Sequence, residues 1–227
     1  MSEFDLDAII VGAGAVGLAT GYALSRRGLS VVVVETEKAI GQGVSARNSE
    51  VIHAGLYYPT GSLKAKLCVE GRRRLYPFLE AHNVAYDRCG KFVVATQASE
   101  VERVEAIMGQ AKANDVEGMR ILSAGEIHAA EPELKAVMGL ESPESGVFDS
   151  HGYMLALQGE IEAAGGAVVV ATPFERAEPL AGGSFRVLTG GAEPGDLTCR
   201  YLITCAGLGA QDAASRIDGF DPVQIPK

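Results

Sequence analysis

The chain has 227 residues, 47% of them apolar, which is enough for one large packed domain or two small ones. Its net charge of −9 argues against a nucleic-acid surface. The four cysteines, Cys68, Cys89, Cys199 and Cys205, are far apart and form no C-x-x-C, so they read as reduced core thiols of a cytoplasmic protein rather than a zinc site or redox pair.

The chain opens on MSEFDLD, which is acidic and lacks the basic start of a signal peptide. No apolar run approaches the roughly 18 residues of a membrane-spanning helix. A peripheral membrane contact stays open. Residues 8–11 then form a short apolar strand that runs into a glycine turn. A helix is expected over residues 15–27, ended by Gly28, with a second apolar strand at 31–34 that finishes on Glu35. This is a βαβ unit with its GxGxxG at Gly12, Gly14 and Gly17. Gly12 allows the sharp turn, Gly14 lets a pyrophosphate approach the backbone, and Gly17 lets the helix pack closely on the strands. The helix N-terminus directs free N–H groups and its positive dipole end at the phosphates. Glu35 follows Gly17 by 18 residues, close to the spacing of about 20 for an acid that binds ribose hydroxyls. The glycines alone leave NAD and FAD both open.

Residues 36–62 make a polar loop, long for a connector, whose Val51, Ile52, Leu56, Tyr57 and Tyr58 argue against disorder. A helix over residues 62–82 carries an apolar stripe of Leu63, Leu67, Cys68, Gly71, Leu75, Phe78 and Leu79, with Arg72, Arg73 and Arg74 facing mostly outward. A strand pair about Gly90 is expected at 84–96. A helix at 99–113 has a capping box from Ser99 to Glu102, and a second box, Ser123 to Glu126, opens a short helix. This middle section reads as α+β, inserted into the α/β start. The α/β pattern returns at 149 with a helix at about 153–164 and a strand at 167–171. Further strands are expected near 184–189, 197–200 and 201–205, and the last runs into Ala206 and Gly207. The expected domains are therefore 1–84 and 149–220 for the dinucleotide domain and 85–148 for the inserted domain, and a family resemblance implies that 221–227 start a further passage.

The stretch 45–66, SARNSEVIHAGLYYPTGSLKAK, resembles the L-2-hydroxyglutarate dehydrogenase (oxidase) family, FAD flavoproteins of the D-amino-acid-oxidase-like (DAO) superfamily. Further matches follow in family order: LCVEGRRRLYPFL, CGKFVVAT, EPEL, SPESGVFDSHGYMLAL and YLITCAGLGA. The resemblance implies a Rossmann-like FAD-binding α/β domain of the glutathione-reductase type with an inserted α+β substrate domain. It also implies that FAD is the cofactor, held by the glycine loop and Glu35, with Ser45, Arg47, Asn48 and Ser49 along its pyrophosphate, ribityl chain and ring. The backbone near Phe174, at the end of the third sheet strand, would meet the adenine. Ala206 and Gly207 would form a second glycine contact, in keeping with ligand binding beyond the carboxyl ends of the strands.

The implied reaction is oxidation of an L-2-hydroxy acid, L-2-hydroxyglutarate above all, to the 2-oxo acid by hydride transfer to flavin. The electron acceptor, whether quinone, electron-transfer protein or oxygen, is left unspecified. Such an oxidation needs a base for the hydroxyl proton, and His53 is the leading candidate. The competing reading makes His53 a residue that only positions the flavin ring. Tyr57, Tyr58 and Lys64 are further candidates for carboxylate binding, and Arg47 for an anion. Rival functions on the same residues are an amino-acid or amine oxidase, or a cofactor-binding module or subunit without independent catalysis. Family members are longer than 227 residues, so the sequence reads as a fragment that lacks their C-terminal part.

Overall fold

In a computed structural model of the chain, residues 4–224 are described. They divide into two units. The first comprises residues up to Asn48 together with those from Ser150 onward, and the second runs from Ser49 to Asp149.

The first unit begins with β1 (Leu6–Val11), α1 (Ala15–Ser25) and β2 (Val31–Val34). Ala8, Ile9, Ile10, Val31 and Val33 are almost fully buried, as expected of inner parallel strands whose two faces are both covered. The chain leaves at Ser49 and forms the second unit. Its elements are β3 (Val51–Ile52), α2 (Leu63–Ala81), β4 (Tyr86–Asp87), β5 (Lys91–Ala95), α3 (Val101–Ala113), β6 (Arg120–Ser123), α4 (Ala124–Ala130), β7 (Met138–Ser142) and β8 (Gly146–Phe148). It returns with α5 (Ser150–Ala163), β9 (Ala167–Val169), β10 (Phe174–Pro179), β11 (Phe185–Thr189), β12 (Gly195–Thr204) and α6 (Ala210–Ser215).

The six strands of the first unit lie in the order β10-β11-β12-β1-β2-β9. The four from β12 to β9 run parallel, with Val11 opposite both Val34 and Thr204 and with Val34 opposite Val169. Their carboxyl ends therefore finish level, and β1 lies between its neighbours in sequence and in return. Helices α1 and α5 pack together at Gly21, where an added Cβ would lie 2.8 Å from Ile161 Cδ1. The core on the other side gathers Ile9, Val11, Val34, Phe174, Val187 and Cys199.

The second unit holds two three-stranded sheets, β3-β8-β4 and β5-β7-β6. The capping box at Ser123 and Glu126 is formed. Several expectations are corrected. The first domain boundary falls between Asn48 and Ser49, not between 84 and 85, because α2 buries Val69 in one cluster with Ala54, Leu56, Ala111 and Val116. The strands flanking Gly90 do not pair with each other: β4 pairs with β8 and β5 with β7. Glu100, not Ser99, holds the turn before α3, accepting from the N–H and hydroxyl of Thr96 at 2.7 and 2.8 Å. In α2 the buried face is Ala65, Val69, Arg72, Tyr76 and Leu79, while Leu63 and Leu67 are 71% and 57% exposed. Arg72 lies inward, bonded to Glu117 and Glu144. All four cysteines are free, and Cys89 is exposed rather than in the core.

Candidate functional site

Beyond the carboxyl ends of β1, β2 and β12 the glycine loop is held from both sides. Gly12 has φ +105°, and a Cβ there would lie 2.6 Å from the Cys205 carbonyl oxygen. A Cβ on Gly17 would lie 1.8 Å from the Gly12 carbonyl oxygen, so only glycine permits this turn into α1. Gly14 caps α1 with no side-chain bond, and its added Cβ would stand 3.0 Å from Ser45 Oγ. The Ala15 N–H donates to Ser45 Oγ at 3.0 Å. The N–H groups of Gly14 and Val16 have no partner among the described residues. Free N–H donors at a helix start, with the positive dipole end behind them, are the chemistry a phosphate takes.

Glu35 does more than end a strand. One carboxylate oxygen accepts from the Ala13 N–H at 2.7 Å and the other from the Glu37 N–H at 2.9 Å. A carboxylate offers about four lone-pair sites, so about two stay available for ribose hydroxyls. Gly41 closes the other side of the loop, its N–H donating to the Ala13 carbonyl at 2.9 Å. Gly41 also has φ +70°, and a Cβ there would strike Met154 at 2.5 Å.

Cys205 N–H donates to the Val11 carbonyl at 2.7 Å, which brings Ala206 and Gly207 beside the glycine loop. Gly207 has φ +54° and opens a 3-10 turn, with Val44 Cγ2 3.8 Å from where its Cβ would be. Ser45 stands in the 3-10 turn Val44–Ala46. Asn48 Nδ2 donates to the Ser45 carbonyl at 2.6 Å and to Ser150 Oγ at 3.1 Å, tying that turn to the start of α5. Arg47 is exposed, with no carboxylate within ion-pair distance among the described residues. Phe174 opens β10 rather than ending the third parallel strand. Its side chain lies in the core and its carbonyl accepts from Arg216 at 3.1 Å. Nearer the loop is the connection before it, where Thr172 N–H donates to the Glu35 carbonyl and Ala171 N–H to the Glu37 carbonyl, each at 2.7 Å.

Ser49 and His53 belong to the second unit, and both are exposed. The loop carrying His53 is rigidly seated. Ala54 and Leu56 point into the core, each 1% exposed. Asn114 Nδ2 donates to the Gly55 and Tyr58 carbonyls at 3.1 and 2.9 Å, and Gln110 Nε2 to the Tyr58 carbonyl at 2.6 Å. Outward, His53, Tyr57 and Tyr58 line a shallow concavity with Lys91 from β5. Lys91 Nζ sits 4.8 Å from the centre of the Tyr57 ring, and Lys64 Nζ 4.6 Å from that of Tyr58. Partial burial, with Lys91 and Lys64 adding to it, holds His53 below its ordinary pKa and so favours the neutral ring. The Cys68 thiol donates to the His53 carbonyl at 3.3 Å, and burial pushes its pKa up. The sequence reading did not single out Lys91, Asn114, Gln110, Gly41 or Ser150. Gly41 stands in a glycine-bearing loop, but nothing local sets it apart.

The sequence profile of DAO, FAD dependent oxidoreductase, matches residues 7–226. The chain belongs to this family. Among its relatives, the mitochondrial L-2-hydroxyglutarate dehydrogenase of Arabidopsis thaliana is 43% identical over 67% of this chain and 32% of its own length. The Homo sapiens protein of the same name is 34% identical over 97% of this chain and 49% of its own. The chain thus spans about half the length, or less, of these curated relatives. Among solved structures, an L-alpha-glycerophosphate oxidase from Mycoplasma pneumoniae with FAD bound is 25% identical at a TM-score of 0.79, over 87% of this chain and 53% of that one. A glycine oxidase from Geobacillus kaustophilus shares the fold at a TM-score of 0.80 and 20% identity, over 93% of this chain and 58% of that one. FAD is accordingly the dinucleotide of this DAO-family chain, and the cradle of glycines that a Cβ would fill, with Glu35 beside it, fits its ADP half. No described helix is long and apolar enough to cross a membrane.

Proposed function

We propose that this DAO-family chain serves the oxidation of an L-2-hydroxy acid, with L-2-hydroxyglutarate the first substrate to test. FAD, when bound, supplies the acceptor for the hydride from C2. The chain's own residues do the rest. The N–H groups of Gly14 and Val16 take the pyrophosphate, Glu35 takes the ribose hydroxyls, and Ser45 and Asn48 fix the turn beside them. Phe174 and the backbone just before it, at Ala171 and Thr172, serve the adenine. Ala206 and Gly207 supply the second backbone contact, and Arg47 and Ser49 continue the cofactor path. His53 takes the hydroxyl proton and leaves a 2-oxo acid. The observation that carries this reading is a histidine on a loop seated by Asn114 and Gln110, sharing one shallow concavity with Tyr57, Tyr58 and the cation Lys91. The names of the curated relatives support the choice of acid.

The electron acceptor that reoxidises the flavin is a quinone, an electron-transfer protein or oxygen. The test is anaerobic flavin reduction by a panel of hydroxy acids and amino acids. Bleaching by L-2-hydroxyglutarate, and not by glycine or L-amino acids, is the expected result. Bleaching by amino acids instead would favour the amine-oxidase reading, which the fold shared with glycine oxidase makes the natural second one. Flavin that binds but is reduced by none of them would leave a cofactor-binding module.

A further inference from the structure

The loop that carries His53, Tyr57 and Tyr58 leaves its sheet at once, because β3 ends at Ile52. Side chains of two helices hold its carbonyls instead. The His53 carbonyl accepts from the Cys68 thiol of α2 at 3.3 Å. The Gly55 and Tyr58 carbonyls both accept from Asn114 Nδ2, and that of Tyr58 also from Gln110 Nε2. Gln110 and Asn114 lie one helical turn apart at the end of α3, so they reach the loop from one side.

Asn114 acts there as a donor alone. Two carbonyls face its side-chain nitrogen, which fixes the orientation of the amide. Its Oδ1 is buried and accepts no hydrogen bond among the described residues, so the donor is used at the cost of a bare acceptor. The segment that follows is anchored without it. The Asp115 carbonyl accepts from Arg73 Nη2 at 3.0 Å, Val116 shares a buried cluster with Ala54 and Leu56, and Glu117 pairs with Arg72 and Arg73. Loss of the Asn114 donor therefore frees the loop while the end of α3 stays in place. The two bonded carbonyls flank Leu56 and Tyr57, and Gly55 is two residues from His53.

We propose that Asn114 and Gln110 are positioning residues: by donating to the Gly55 and Tyr58 carbonyls they fix where His53 and Tyr57 stand toward a bound acid. This deepens the hydroxy-acid reading and rests on it. A misplacement of about 1 Å at a reacting group costs about a hundredfold in rate. What counts in each side chain is its donor, not its bulk.

The experiment compares the FAD-loaded 227-residue chain with Asn114→Leu and Gln110→Met, which keep the bulk and remove the donors, and with Gln110→Lys, which keeps a donor. Anaerobic flavin reduction by L-2-hydroxyglutarate is followed over a range of concentrations, beside flavin content and the unfolding midpoint. Asn114→Leu is expected to lower the limiting rate about 10- to 100-fold. Gln110→Met is expected to lower it roughly three- to tenfold, as loss of one hydrogen bond would. Half-saturation and flavin content are expected to change little. Gln110→Lys is expected to recover most of the loss seen in Gln110→Met, which a side chain that only fills space would not do. Gln110 is half-buried, so its two variants decide the matter where Asn114→Leu fails to fold. A wild-type rate in either folded donor-free variant, or equal losses in Gln110→Met and Gln110→Lys, overturns the proposal. A wild-type flavin that no acid reduces overturns the hydroxy-acid reading instead, and the placement is then read from the His53 ring signal in NMR, assigned by its loss in His53→Gln. That signal is expected to shift in the donor-free variants and to return in Gln110→Lys; an unmoved signal overturns the positioning.

Discussion

His53 shows how one residue's environment sets its chemistry. Burial and two neighbouring ammonium groups favour the neutral ring, so its folded-state pKa lies below the ordinary 6.5. The sign for stability follows. Between the folded and unfolded pKa values the unfolded chain binds more protons, so this residue's contribution is complete above about pH 6.5 and is lost as the pH falls through that window. An NMR titration of His53 is expected to show a midpoint under 6.5, and Lys91→Met is expected to move it upward. A wild-type midpoint at or above 6.5 would contradict the assignment. If His53 is the base, flavin reduction in the complete enzyme is expected to slow about 10²- to 10⁴-fold in His53→Ala, with flavin content little changed. Glu35 makes the complementary case for the cofactor. Its carboxylate anchors Ala13 and Glu37, so Glu35→Ala is expected to weaken ADP binding and to loosen the loop by about 1.5–3 kcal/mol per charged bond removed. Calorimetric titration with ADP and denaturant unfolding measure the two parts. The fingerprint glycines were legible because a Cβ at Gly12 or Gly17 would overlap backbone, and Glu35 because it directly follows the second strand of that unit. Lys91 was not, since its meaning depends on Tyr57, which is remote in sequence and unmarked by any local pattern.

At the scale of elements, the strands of the parallel sheet were readable because burial on both faces writes uninterrupted apolar runs such as Val31–Val34. Helix α2 was readable as a helix but not in its orientation. Counting Leu63 and Leu67 as core and Arg72 as surface follows hydropathy, whereas the buried face keeps the helical spacing 65, 69, 72, 76 and 79 with an arginine on it. That arginine is acceptable there because Glu117 and Glu144 come to it from elsewhere in the second unit. Arg72 is the buried side of the network, whereas Glu117 is half-exposed and also pairs with Arg73, and Glu144 is partly exposed. Arg72→Ala is therefore expected to destabilise the second unit by about 1–3 kcal/mol through lost packing and lost charged hydrogen bonds, and a similar-sized Arg72→Met to cost less. Denaturant unfolding of the two variants decides, and equal, small effects would show that the network contributes little. In the first unit the matching change is Gly17→Ala. Its Cβ would overlap the Gly12 carbonyl, which forces the loop open and is expected to abolish FAD binding. Flavin absorbance of the purified variant reads this directly.

For the whole molecule, the division into units explains why the domain boundary was misplaced. The chain crosses out at Asn48 and back at Ser150, so the first unit is built from two segments separated by 101 residues of the second. No change of composition marks Ser49. The boundary is set by which cluster α2 enters, a long-range fact. The same topology makes a testable claim about cooperativity. Glycine loop, Glu35 and the return strand β12 share one sheet, with Val11 hydrogen-bonded to both sides of the crossing. A ligand held only at the loop must then stabilise both segments together. With ADP at about 100 times its dissociation constant the first unit gains about 2.7 kcal/mol. Amides that exchange only when that unit opens are then expected to slow by roughly a hundredfold, in β1 and in β12 alike. Hydrogen exchange followed by mass spectrometry measures both stretches in one run. Protection confined to peptides around residues 12–17, with 195–204 unchanged, would show that the loop binds ADP without the sheet acting as one body.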